Sequence, residues 1–388
     1  MEVRGAAKRR RNREVVMNGC RGAVPVLVFA ILLLGQSWLA PGAPVRGDVE
    51  RRALVFTKDL RIPSSDKGRR YSYFADGVGA VSGVEADSKG NIYVLDSYNY
   101  RVLKFDPAGN YLTSIGGKGQ GPGEFQAPTR ILVDGQDRLY VQDIVRMALF
   151  VFSADGKFIK GINGPGIILR GCQISLDSHA DIICGYEALP AMNERQVYSI
   201  AKFDNAFKPV RVLYERPGVF MGKIGNGRFI EAPRFTPEVI WAVGPEDRLY
   251  VSYNDSYDIR ILSAAGALIK NFRRDYTPEK VTAEERRQIL EGYKRFGEAA
   301  KGIEIPTVKP PIRGFYFVKD QLYVLRKRVG RVWYFDVFDE DGEFIEAKSL
   351  DFPLLVYKNG FVYTIAFEGN IDTWDITDTT VVRYKVGG

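Results

Sequence analysis

The mature part of the chain is patterned as short apolar stretches separated by polar turns. Asp87-Ser-Lys-Gly-Asn-Ile-Tyr-Val94 sets a turn before an apolar run, and Asp134-Gly-Gln-Asp-Arg-Leu-Tyr-Val141 repeats it. Further copies are Gly244-Pro-Glu-Asp-Arg-Leu-Tyr-Val251 and the shorter Val318-Lys-Asp-Gln-Leu-Tyr-Val324. Weaker copies are Asp177-Ser-His-Ala-Asp-Ile-Ile-Cys184 and Tyr357-Lys-Asn-Gly-Phe-Val-Tyr-Thr364. Each joins two apolar stretches through a few polar residues, which predicts a tight β-hairpin.

A second hairpin follows each of the first five copies. Val102 to Leu112, with Pro-Ala-Gly-Asn at its turn, is echoed by Leu149 to Ile159, Ile200 to Lys208, Ile259 to Ile269 and Asp336 to Ile345. Two hairpins in series make a four-stranded antiparallel unit of about 45 residues, the size of a propeller blade. One such sheet cannot bury both faces alone, so the blades must pack face to face around an axis. After the sixth copy only one more strand fits, Thr380 to Val386. The missing outer strand is assigned to Arg52–Leu60, which would close the ring and remove exposed edges. The predicted fold is all-β: a six-bladed β-propeller closed by an N-terminal strand, spanning residues 44–388.

Two segments resemble a known repeat family. Gly119-Gln-Gly-Pro-Gly-Glu-Phe125 followed by Pro128, Asp134, Leu139-Tyr-Val141 and Asp143 is similar to NHL-repeat propellers. In the first blade, Asp96, Asn99 and Arg101 match that family's D-x-x-N-x-R segment. The second blade departs from it, with Arg146 and Ala148 where Asn and Arg are expected. The resemblance implies six blades, in a family that includes both binding platforms and enzymes. The family's amidating lyases depend on histidine-bound metal, which a chain with one histidine does not lead us to expect.

The first 43 residues stand apart from the repeats. A basic lead (Lys8, Arg9, Arg10, Arg11, Arg13, Arg21) precedes an apolar run, Val24 to Leu34, and small residues at Ala40-Pro41-Gly42-Ala43. That order is the layout of a secretory signal, and the run is shorter than the ~20 residues a spanning helix needs. The alternative is a retained membrane anchor. The whole chain carries a net charge of +8. Residues 1–42 hold seven basic and two acidic side chains, so 48 and 45 remain without them, a net of +3. Export thus accounts for most of the basicity, and a nucleic-acid partner loses its main support. Cys172 and Cys184 remain, flanking a predicted hairpin; in an oxidising compartment they either pair or stay reduced.

With strands named a to d from the axis outward, the a–b and c–d turns emerge on one side and are short throughout. The long segments, Tyr186–Gln196, Tyr214–Pro237, Phe272–Ile312 and Phe367–Thr379, fall on the other side. Loop length gathered on one side marks it as the working face. The longest insertion, about 273–312 between blades four and five, contains a helix. Thr282-Ala-Glu-Glu285 fits a capping box, and Ile289, Leu290, Tyr293 and Phe296 form an apolar stripe for packing on the propeller itself.

Residue scarcity excludes much chemistry. The one histidine, His179, falls in an a–b turn on the short-turn side, away from any catalytic triad on the loop side. Zinc sites rich in His or Cys cannot be assembled from one His and the two Cys beyond the leader. Entrances to the a strands are assigned to Ser82, Arg130, Gln173, Glu238, Arg313 and Asp351, a set with too few carboxylates for a calcium cage. Arg130 and Arg313, with Gln173, Glu238 and Arg146, instead outline an axial mouth for an anionic group, helped by Arg326-Lys327-Arg328 in a b–c loop. The competing reading pairs these arginines with Glu238, Asp351 or buried backbone.

The expected function is an exported, non-enzymatic binding or scaffold propeller, monomeric, engaging a protein or small anionic ligand on the long-loop side without a cofactor. The alternative is a lactonase-like hydrolase or lyase on the same fold, with calcium as its metal. A membrane association is expected only if the N-terminal segment is retained.

Overall fold

The repeated turns owe their shape to one oxygen at a fixed position. In the first a–b turn the Asp87 carboxylate accepts from the amides of Lys89 at 3.1 Å and Asn91 at 2.8 Å, and Gly90 sits at φ 81°. Asp134 and Asp177 repeat this two blades running, with Asp137 (φ 61°) and Ala180 (φ 62°) in the left-handed position. Asp106, Asp204 and Asp339 do the same in c–d turns. An aspartate that bonds its own backbone two and four residues on, followed by a residue at positive φ, reverses the chain with the twist a hairpin needs. Gly266 adds a second constraint. It has φ +83°, and a Cβ there would lie 2.9 Å from the backbone oxygen of Leu213 in the neighbouring blade.

The computed structural model describes residues 53–388 apart from 64, 67–68, 71–82, 165–172, 189–196, 218–221, 224–228, 231, 295, 298–303 and 371–374. Residues 1–52, Ser82 and Cys172 lie outside the described residues, and so do the expected signal segment and any Cys172–Cys184 pairing; Cys184 stands opposite Ile174 in the strand register.

Six four-stranded antiparallel sheets form the blades. Blade one comprises Val84–Ala86, Ile92–Asp96, Arg101–Phe105 and Tyr111–Ile115; blade two, Pro128–Val133, Leu139–Asp143, Ala148–Phe152 and Phe158–Asn163. Blade three holds Gln173–Leu176, Ile182–Ala188, Val197–Phe203 and Pro209–Pro217; blade four, Val239–Val243, Leu249–Tyr253, Asp258–Leu262 and Leu268–Arg273. Blade five holds Gly314–Val318, Gln321–Val329, Val332–Phe338 and Phe344–Leu350. Blade six takes Val356–Lys358, Phe361–Asn370 and Asp375–Gly387 from the end of the chain. Its outer strand is Val55–Pro63, paired antiparallel from Val55 opposite Gly387 to Pro63 opposite Thr380. The ring is closed by the early strand as expected, three residues further along than the sequence suggested.

Two loop assignments change. Arg326, Lys327 and Arg328 are not in a loop: they continue the second strand of blade five, and the connection shrinks to Gly330 and Arg331. Phe367–Thr379 is likewise largely strand, because the last hairpin extends beyond its sheet as a two-stranded ribbon. In both, β-branched and long side chains sustain pairing past the point where the blade ends.

The core is divided into six wedges, one per blade interface. Ile92 and Val94 pack toward blade six with Ile62, Tyr363 and Ile365, while Tyr93 and Leu95 of the same strand face Ile131, Val141 and Phe150 of blade two. Equivalent clusters join blades two and three around Phe203, three and four around Trp241, four and five around Phe338, and five and six around Phe335. Adjacent residues of a strand point to opposite faces, and both faces are covered, so the second strands read as unbroken apolar runs. Between blades four and five the helix α1, Ala283–Tyr293, has the expected capping box: Thr282 accepts from the Glu285 amide, and Glu285 returns to the Thr282 amide. Ile289 buries against Phe235 and Ile305, whereas Leu290 is 47% exposed.

Ile62 lies in the closing strand and is 3% exposed. Ile62→Ala leaves a cavity in the wedge between blades six and one, and is expected to lower unfolding stability by about 2–5 kcal/mol in urea titration. A loss below about 0.5 kcal/mol would mean the early strand contributes little to closure.

Candidate functional site

The short-turn side is occupied by bonds between blades. Lys104 Nζ donates to the Ala154 carbonyl at 2.7 Å, Lys160 Nζ to Asn205 at 2.9 Å, and Arg211 Nη1 to Ala265 at 3.2 Å. Lys270 Nζ reaches Glu343 Oε1 at 2.7 Å, Lys319 Nζ the Gly388 carbonyl at 3.1 Å, and Arg383 Nη1 the Pro107 carbonyl at 2.8 Å. Each of the six interfaces thus has a cation from one blade clasping a turn or the chain end on the next. Nearer the axis, Ser88 donates its amide and hydroxyl to Asp137, Ser178 does the same to Asp247, and Asn359 Nδ2 bonds the Asp87 carbonyl at 2.8 Å.

Among the described residues, one group of potential metal ligands falls within this framework: Asp177, His179 and Asp247. Its carboxylates are already engaged. Asp177 receives Lys202 Nζ at 2.6 Å besides two turn amides, and Asp247 holds Ser178. The cluster locks blades three and four together and lacks the unshared oxygens that calcium requires.

On the opposite side, polar residues at the ends of the second strands organise the longer loops. Asp96 accepts from the Asn99 amide, from Asn99 Nδ2 and from Arg101 Nε at 2.8 Å, so the D-x-x-N-x-R segment closes on itself. Asp143 collects four backbone amides, those of Gln126, Ala127, Val145 and Arg146. Asn254 accepts from the Glu238 amide and donates to the Ile312 carbonyl. Asp336, 0% exposed, accepts from the Tyr257 hydroxyl at 2.8 Å and lies between Arg274 at 3.4 Å and Arg326 at 3.5 Å. Burial and the adjacent Asp336 charge push the Tyr257 hydroxyl far above its ordinary range, which keeps it a donor.

The residues expected at an axial mouth divide into engaged and unengaged groups. Arg130 donates to the Ile174 carbonyl of blade three at 3.3 Å, and Gln173 Nε2 to the Trp241 carbonyl of blade four at 3.0 Å, so both stitch inner strands together. Arg146 lies over the Phe150 ring at 5.2 Å and reaches the Glu124 carbonyl of the linker before its blade. Glu238 and Arg313, just before the inner strands of blades four and five, make no side-chain hydrogen bond or ion pair among the described residues. Both are exposed but recessed: surrounding protein raises the Glu238 carboxyl and, with Arg234 nearby, lowers the Arg313 guanidinium. Asp351 falls in the linker after blade five, five residues short of the inner strand.

Glu85 was missed at the sequence level. It sits between Val84 and Ala86 on the inner strand of blade one, 8% exposed, and desolvation pushes its carboxyl to about 8 against the opposing pull of Lys358, the Ala86 amide and Arg130. The signal was a lone charged residue between two apolar ones in an inner strand.

A domain family described as 6-bladed beta-propeller (DUF5128) matches residues 78–138. No curated protein sequence matches the chain. Among solved structures, a DUF4221 family member from Bacteroides vulgatus aligns at TM-score 0.50 and 10% identity over 86% of this chain and 99% of its own. A gluconolactonase from Xanthomonas campestris aligns at TM-score 0.41 and 13% identity over 86% and 100%. A streptogramin B lyase aligns at TM-score 0.40 and 10% identity over 86% and 98%. At such identities the likeness is one of fold: the chain is a six-bladed propeller of four-stranded antiparallel sheets.

Two outcomes follow. With Glu85 raised to about 8 when folded, against about 4.3 unfolded, its neutral form is the one the fold accommodates. The relative stability this confers is complete below about pH 4.5 and is lost as pH rises toward 8. Glu85→Gln should therefore match the parent chain at pH 5 and melt at higher temperature at pH 9; equal melting at both would sink the assignment. Asp336→Ala, which strands Arg274 and Arg326 around an empty site, should cost about 3–5 kcal/mol by chemical denaturation.

Proposed function

We propose that this chain is an exported, non-catalytic propeller of the NHL-like kind that binds a ligand or protein partner on its long-loop side. The observation that carries the reading is Arg313: a recessed, accessible guanidinium with no hydrogen-bond acceptor among the described residues, on the long-loop side. On the short-turn side, one basic side chain at each blade interface is engaged in holding the neighbouring blade. An unpaired guanidinium in a recess favours an anionic group on whatever binds. The self-closed Asp96–Asn99–Arg101 segment supports the NHL-like assignment, and the basic-apolar-small order of the leader supports export. Among the described residues no helix is long and apolar enough to cross a membrane.

A second reading, a lactonase-like hydrolase or lyase, draws on Glu238. A carboxyl raised by burial and free of a cationic partner is suited to proton transfer nearer neutral pH. It is one carboxylate, and a calcium cage needs several oxygens. Elemental analysis separates the readings: stoichiometric calcium in the purified protein would favour the enzyme.

The binding reading is tested by hydrogen exchange on the protein with and without the material that co-purifies with it from its native host. Protection is expected at 232–240, 254–257 and 312–316. Protection centred on the turns at 87–91, 134–138 and 177–181 would overturn it.

A further inference from the structure

We propose that Arg234 and Arg313, both beside the Phe235 ring, form a subsite for an oxyanion group, a phosphate or a paired carboxylate, on the bound molecule. The proposal rests on the binding reading above for the side of the propeller that is used.

Three cations surround one aromatic ring. The guanidinium carbons of Arg234 and Arg313 lie 4.8 and 5.8 Å from the Phe235 centroid, and Lys309 Nζ lies 5.4 Å from it. The negative face of one ring attracts a cation over it but cannot neutralise three. Lys309 is neutralised separately, by Glu279 at 2.5 Å and Glu285 at 2.7 Å. Glu285 is the same carboxylate that caps α1, and its bonds to Lys309 and Thr282 hold it near 2, so it stays ionised and committed. The helix insertion thereby ties up Lys309; the same two carboxylates offset Arg313 only in part, from beyond bonding distance, and neither arginine gains a bonded carboxylate among the described residues.

Neither guanidinium has a hydrogen-bond acceptor or carboxylate partner among the described residues, and both are exposed. Arg234 repels Arg313 despite the partial offset from Glu279 and Glu285, and an anion bound beside both relieves that repulsion. Two planar donor forks match a tetrahedral phosphate or a dicarboxylate better than a single carboxylate, because each fork bonds in pairs. Phe235 itself is held at φ 72°, a position an aromatic residue rarely adopts, with its ring buried against Ile289 and Ile305. The ring is therefore a fixed platform, and the arginines beside it are positioned before any ligand arrives.

The test is calorimetric titration of the purified chain at low salt, with inorganic phosphate in one arm and succinate in the other. Arg234→Gln, Arg313→Gln, the double variant and, as control, Lys157→Gln in a short c–d turn are titrated alongside. One-to-one binding of at least one anion is expected, weakened tenfold or more by each single change, undetectable in the double variant and unaltered by Lys157→Gln. The preferred arm identifies the oxyanion. Arg313→Lys, which keeps the charge but not the fork, should bind severalfold more weakly while melting as the parent does, so that lost binding is separated from lost folding. No saturable binding of either anion, or binding that survives in the double variant, overturns the subsite. If hydrogen-exchange protection of the long-loop side persists in the double variant, the subsite fails and the binding reading stands. Anion binding that needs both arginines, with protection on the short turns instead, has the opposite meaning.

Discussion

The structure depends on ring closure by Val55–Pro63 in blade six. Every blade is a sheet with two apolar faces, and each face is covered only by the next blade, so an open arc would leave two faces and two edges in water. Pairing the first strand with the last ties the two ends of the propeller into one sheet, and the six core wedges become equivalent. Ile62, Tyr363 and Ile365 then meet Val84 and Ile92 in the same way that Leu95 meets Ile131. Local stability of any blade is inseparable from closure of the whole.

Closure also explains how the two sides divide their tasks. Blades meeting at an angle present their c–d turns to neighbours in a regular ring, and a long basic side chain from each blade reaches across to an acceptor on the next. Six such bonds repeat with different residue types (Lys104, Lys160, Arg211, Lys270, Lys319, Arg383) because a carbonyl or turn carboxylate accepts from any of them. The side that performs this work has short turns and few uncommitted charges. On the opposite side Arg130 and Gln173 are engaged with neighbouring blades, whereas Glu238 and Arg313 make no side-chain hydrogen bond among the described residues.

Buried charge is handled by two physical devices. Asp96 and Asp143 meet several donors, drawn from backbone amides, an asparagine amide and an arginine, and Asp336 meets a tyrosine hydroxyl with two arginines close by. Glu85 lacks such a set and is accommodated as the neutral acid. The difference lies in the number of donors each carboxyl meets, since desolvation acts on all of them. Arg234 and Arg313 represent a third case, two neighbouring guanidinium groups with no hydrogen-bond acceptor or ion-paired carboxylate among the described residues, and that is why the pair stands out as a place for an outside anion.

How much of this was legible from residues alone follows from the range of each interaction. The hairpin turns, the four-strand unit, the blade count, the closing strand and the α1 cap all rest on contacts within a few residues or on a repeat that counts itself, and the chain displays them directly. Strand ends were misplaced at Arg326–Arg328 and Phe367–Thr379, because pairing that outruns a blade depends on the partner strand rather than on turn signals. Arg130, Gln173 and Arg146 carry the residue types of a binding site, yet folding gives each of them a carbonyl to hold. Arg234 and the Phe235 platform had no distinguishing signal beyond a charge or ring in an unremarkable position, and Glu85 only its place between two apolar residues of an inner strand. Which polar groups are satisfied and which are left over is a property of surfaces brought together from distant blades and insertions. Local sequence determined that the ring would form; only the assembled ring decided which of its charges remain unmatched.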